Sequence, residues 1–126
     1  MAVNYSIIQR VKPGDPSAPR KYYAVAQTDG DVNLRTLANR IAEISTVSTI
    51  DTLAVLESLI TVLPEYLVDS KIVRLGDFGS FRLTLSSEGA DTEDAFNESM
   101  IKNVKLKFRP GKIIANALKT VDFKKV

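Results

Sequence analysis

The 126-residue sequence contains no cysteine and no histidine. Without cysteine it can form no disulfide, offer no thiol nucleophile and build no thiolate metal site. Without histidine it lacks the commonest neutral-pH acid–base group and the commonest metal ligand. No apolar run approaches the length of a bilayer span, and the first residues lack a signal-peptide pattern. These absences lead us to expect a cytoplasmic protein with no membrane partner. The six glycines are scattered rather than gathered into a phosphate-binding loop. No nucleophile stands in an ordered constellation with a base, although Asp, Glu, Ser, Lys and Tyr are all present. The expectation is a non-enzymatic chain with no cofactor and no small-molecule substrate. A carboxylate-only ion site is all that remains of metal chemistry, and no metal is expected.

What is present is ordinary in amount and uneven in distribution. Hydrophobic residues make up 44% and charged residues 25%, as in a soluble globular protein of one domain, or one domain with an extension. The net charge of +2 conceals three blocks. Residues 1–28 carry Arg10, Lys12, Arg20 and Lys21 against Asp15. Residues 29–69 carry seven acids against Arg35 and Arg40, and residues 101–126 carry eight bases against Asp122. A basic block can follow a phosphate backbone, and it can equally be a solvated surface.

Val3, Tyr5 and Ile7 alternate, which predicts a strand over residues 3–11. Pro13, Gly14, Pro16 and Pro19 make Lys12–Arg20 a loop, and Lys21–Gln27 is a second strand. Such a hairpin is marginal alone and is expected to join a larger sheet. Asn33 is a candidate N-cap for a helix carrying Leu34, Leu37, Ala38, Ile41 and Ile44, ending near Ser45. Ser48 or Thr49 caps a second helix that runs to about Val68. Leu56, Leu59, Ile60, Leu63 and Leu67 form a stripe too wide for one small core. A second copy of the chain is the simplest cover, so Leu56, Leu59 and Leu63 are dimer-interface candidates. Pro64 is expected to bend this helix locally.

A short strand follows at Lys71–Leu75, then a turn at Gly76-Asp77. The next strand alternates Phe81, Leu83 and Leu85. Ser86–Met100 holds five acids and no base. Ile101–Phe108 alternates again, with Val104, Leu106 and Phe108 on one face and Lys105, Lys107 and Arg109 on the other. Pro110 opens a short helix over Lys112–Leu118. Val121–Phe123 is either an edge strand or a packed tail. The pattern is α+β.

Arg74-Leu-Gly-Asp-Phe-Gly-Ser-Phe81 resembles the Gly-Phe-Gly-Thr/Ser-Phe signature of the HU/IHF family of bacterial histone-like proteins. Two helices precede it at the family's spacing, and Pro110-Gly111-Lys112 resembles the family's entry into its third helix. The resemblance covers roughly residues 32–120, and it is the ordered series that is specific. The segment before it, with the Tyr22-Tyr23 pair, looks like the extended HU-like branch of Bacteroides-type bacteria. The resemblance implies an HU/IHF-like fold: two helices, a three-stranded antiparallel sheet with a β-ribbon arm, and a short C-terminal helix. An extra N-terminal β-hairpin would precede it, giving an extension over residues 1–30 and an HU-like domain over 31–126. It further implies an intertwined homodimer, nucleoid-associated, that holds double-stranded DNA without sequence specificity. Phe78, Phe81 and Phe108 join the expected dimer interface. Arg82, Lys102, Lys105, Lys107, Arg109 and Lys112 are the expected DNA contacts.

The sequence departs from the family at the arm. Between Leu85 and Ile101 there is no proline to intercalate and no arginine to enter a minor groove. The carboxylates there repel phosphate, which moves the expected grip to the arm base. An alternative is an HU-like scaffold that serves as a protein-interaction module, its acidic segment docking on a basic partner. Arg74 is read as a surface residue of the sheet.

Overall fold

A computed structural model describes residues 1–126. The elements are β1 (Ala2–Arg10), β2 (Lys21–Ala26), α1 (Leu34–Ile44), α2 (Thr49–Leu67), β3 (Val73–Arg74), β4 (Gly79–Ser87), β5 (Ile101–Pro110), α3 (Lys112–Lys119) and β6 (Asp122–Lys125). They form two units, Met1–Asn33 with Ala117–Val126, and Leu34–Asn116.

The first unit is a three-stranded sheet in the order β2-β1-β6. β1 and β2 pair antiparallel from Tyr5↔Ala26 to Arg10↔Lys21, and β6 lies parallel to β1 from Ala2↔Asp122 to Tyr5↔Lys125. The hairpin therefore does not join a larger sheet, contrary to the expectation from sequence. Its need for a third strand is met by the last residues of the chain, and the Val126 amide donates to the Tyr5 carbonyl at 2.9 Å. The segment after Val121 is an edge strand rather than a tail.

In the second unit α1 packs along α2, and β3-β4-β5 form an antiparallel meander. Ser48 caps α2: its backbone is extended, and its hydroxyl accepts the Asp51 amide at 3.1 Å. Asp51 in the first turn complements the helix dipole. α2 continues through Pro64, and the Val68 amide donates to the Pro64 carbonyl at 3.0 Å. Ser70 then turns the chain out of the helix with φ of 62°.

The core of this unit is small. Ala38 and Leu67 are its only buried apolar residues, and no large side chain is fully buried. Thr52, Leu56, Leu63 and Leu67 make up the inner stripe of α2, with Leu56 and Leu63 half-buried. A second stripe, Val55, Leu59, Val62 and Tyr66, repeats every three or four residues and stays open at 65%, 40%, 42% and 55% exposure. Of the three leucines proposed from sequence to face a partner, Leu59 lies on the open stripe, while Leu56 and Leu63 lie on the inner one.

Replacing Ser48 with alanine removes the cap and is expected to lower the unfolding free energy by about 1 kcal/mol, measured by urea titration.

Candidate nucleic-acid interface

The register of β4 with β5 sorts their side chains onto two faces, because residues directly opposite in an antiparallel pair share a side. Phe81↔Phe108, Leu83↔Leu106 and Leu85↔Val104 form an apolar face. Ser80↔Arg109, Arg82↔Lys107, Thr84↔Lys105 and Ser86↔Asn103 form the other. Four of the bases singled out by sequence, Arg82, Lys105, Lys107 and Arg109, therefore stand together.

The short strand β3 adds a fifth. Arg74 pairs with Ser80, and Ser80 pairs with Arg109, so Arg74, Ser80 and Arg109 form a row across all three strands. The sequence alone marks Arg74 as no more than surface. Only the pairing of β3 places it here, and two residues of strand carry too little pattern to announce a register. No carboxylate lies within ion-pair distance of any of the five. Lys105, Lys107, Arg109 and Arg74 are exposed, and Arg82 is half-buried at the rim of an apolar groove.

Two of the sequence-proposed bases are not on this face. Lys102 is the residue skipped by the bulge between Ser86↔Asn103 and Ser87↔Ile101. It pairs with Glu88 at 2.9 Å, with both side chains more than half exposed, so the pair contributes little to stability. Lys112 opens α3, beyond the end of the ribbon, and is exposed.

Two glycines set the base of the ribbon. The Gly111 amide donates to the Phe78 carbonyl at 2.9 Å, and the Leu75 amide to the Gly79 carbonyl at 2.8 Å. A Cβ on Gly111 would fall 2.2 Å from the Asp77 carbonyl oxygen, and one on Gly79 2.4 Å from that of Arg109. Gly79 also has φ of 147°, which L side chains rarely adopt. The turn into β4 and the turn out of β5 are thus pressed together, which brings Arg74 and Arg109 to either side of a cleft of about 280 Å³. Beneath, Phe108 packs against Phe81 (ring centroids 4.8 Å apart) and Phe78 (5.5 Å).

The paired ribbon stops at Ser87↔Ile101. The acidic segment beyond it does not continue as a β-arm. It closes as a loop with a 3-10 turn at Glu98–Met100, held by the Glu88 amide on the Met100 carbonyl at 2.8 Å. No carboxylate of the loop belongs to the paired rows that carry the bases.

On the apolar side, Leu67, Val68 and Ile72 with Leu83, Leu85 and Val104 line an open groove of about 710 Å³. It lies between the end of α2 and the ribbon. No helix is long and apolar enough to cross a membrane.

Among known proteins, a family model described as "HU domain fused to wHTH, Ig, or Glycine-rich motif" (HU-HIG) matches residues 1–125. The chain is similar in fold to a solved structure from Bacteroides vulgatus, described as that of a candidate bacterial DNA-binding protein. The TM-score is 0.67 at 11% sequence identity, over 99% of this chain and 48% of that one. The chain therefore spans about half the length of that protein. None of the curated proteins matches it.

Replacing Gly111 with alanine forces the two turns apart and is expected to cost about 1–3 kcal/mol of stability, read from the midpoint of a urea transition.

Proposed function

Because the chain belongs to the HU-HIG family, we propose that it is a histone-like architectural protein that binds double-stranded DNA as a homodimer, without sequence specificity. The chain is not an enzyme, in keeping with that family. The observation that carries the proposal is the gathering of Arg74, Arg82, Lys105, Lys107 and Arg109 on one ribbon face without a carboxylate partner. Flexible cations on a sheet neutralise phosphates without reading bases, which gives affinity without sequence preference. Lys112 adds a base in the first turn of α3, where free amides also favour an anion. Lys102 contributes after release from Glu88, since an exposed pair of this kind is readily exchanged for a phosphate.

In this reading residues 31–126 are the HU-like domain and residues 1–30 an extension, whose sheet takes its third strand, β6, from the end of that domain. The second copy covers the open stripe of α2, the apolar groove and the cluster of Phe78, Phe81 and Phe108. The likeness in fold to the Bacteroides vulgatus protein supports placing the chain in the extended, Bacteroides-type branch. A cytoplasmic, nucleoid-associated location accords with the same reading. The acidic loop has no means of gripping a minor groove, so bending through arm tips forms no part of it. That loop favours a second reading, an HU-like scaffold used as a protein-interaction module. Co-purification of a basic protein that is lost when Glu88, Asp91, Glu93 and Asp94 are neutralised would mark that reading as the correct one.

A salt titration of duplex binding separates the two. Phosphate-driven binding falls linearly in log K against log salt, with about 0.9 of slope per phosphate neutralised. Lys105→Glu with Lys107→Glu is expected to reduce the slope by about two and to weaken binding equally across unrelated sequences. If the wild-type dimer shifts no duplex even at low salt, the DNA reading fails.

A further inference from the structure

A second group of bases lies in the first unit, at the closed end of the β1–β2 hairpin. Arg10 and Lys21 are directly opposite in the register and share a sheet face with Tyr23, which pairs with Ile8. Lys12 and Arg20 lie in the connecting loop. Arg10, Lys12, Ala18, Pro19, Lys21 and Tyr23 line a cleft of about 300 Å³.

Three features of this cluster point to an anion. Like charges directly opposite one another destabilise a sheet, yet Arg10 faces Lys21. None of Arg10, Lys12, Arg20 and Lys21 has a carboxylate within ion-pair distance. The only acid of the segment, Asp15, is held by Ser17: one carboxylate oxygen accepts the Ser17 amide at 3.2 Å and its hydroxyl at 2.7 Å. The loop is also ordered in advance. Pro13, Pro16 and Pro19 stiffen it, and the Asp15 and Ala18 amides donate to the Lys12 and Asp15 carbonyls, each at 3.2 Å. A stiff loop displays its charges at lower entropic cost than a free one.

The two hairpin ends of the molecule are opposite in charge. The β4–β5 loop holds five acids and no base between residues 86 and 100, whereas residues 10–21 hold four bases and one acid. A polyanion is repelled by the first and attracted by the second.

We propose that the β1–β2 hairpin end is a second contact for double-stranded DNA, taking backbone phosphates between Arg10, Lys12 and Lys21, with the Tyr23 hydroxyl as a further donor. This inference rests on the reading that the chain binds DNA, and it assigns to residues 1–30 a role outside the HU-like ribbon.

The test uses the full chain and a duplex of about thirty base pairs, long enough to engage several phosphates. The variants are Arg10→Glu with Lys12→Gln, and Lys105→Glu with Lys107→Glu. Arg10→Glu turns a repulsive cross-strand pair into an attractive one, so the thermal midpoint is expected to hold or rise. The salt slope is expected to fall by about two, close to one unit for each phosphate that is no longer neutralised. Lys12→Gln alone, confined to the loop outside both strands, is expected to lower the slope by about one. Wild-type slopes in both hairpin variants, alongside a reduced slope in the ribbon variant, overturn the hairpin proposal and leave the ribbon reading standing. Weakening confined to single-stranded DNA also overturns it. If the wild-type chain binds no duplex, both readings fall together.

Discussion

The apolar surface that the Leu34–Asn116 unit leaves uncovered is the constraint on which the rest depends. α2 is apolar on two sides, and its own chain covers one. The ribbon presents Leu85, Val104, Leu106 and Phe108 on a face that is likewise open. Fully burying a side chain of this kind is worth about 1.5–3 kcal/mol, and the whole net stability of a domain is about 5–15 kcal/mol. Leaving such a surface in water therefore forgoes a sum comparable to the stability of the fold itself. A second copy of the chain is the cover we propose. Its consequence reaches the proposed DNA surface. Side chains alternate along a strand, so committing one ribbon face to burial turns the other outward, and a slip of one residue would exchange them. The bases stand together on one face because the leucines and phenylalanines take the other.

The same logic explains what can be read from the sequence. Alternation in Phe81-Leu83-Leu85 and in Val104-Leu106-Phe108 announces both strands and both faces, and the helical spacing of Leu34 to Ile44 announces α1. The division of labour along α2 is not legible. Leu56 and Leu63 share an apolar band with Val55, Leu59, Val62 and Tyr66, and nothing in the order of residues says which stripe meets the chain's own core. β6 is only half legible, because four residues with a single aromatic make a strand only when a neighbour offers its edge. Lys102 shows a further limit. A one-residue bulge at Ser86/Ser87 removes it from the row its neighbours form, and bulges leave little trace in a pattern of alternating types. Arg74 escapes notice for the converse reason: its importance comes wholly from the strand it pairs with.

Charge placement follows from the same fold. The acidic loop sits past the end of the paired ribbon, and the bases sit within it. The glycines at 79 and 111 tie the two turns at the ribbon base, which sets Arg74 and Arg109 two strands apart in one row, with Ser80 between them. In the proposed binding mode, affinity comes from the flank of the ribbon and from the N-terminal hairpin. The loop beyond the ribbon lacks proline and arginine, so it offers no wedge for a minor groove.

In the proposed dimer, this chain completes its core only with a second copy. Sedimentation equilibrium of the chain at micromolar and sub-micromolar concentrations tests it most directly. The expected result is a single species of twice 13.9 kDa, dissociating only together with loss of helical circular dichroism. A folded species of 13.9 kDa, with its helical signal intact, would contradict it.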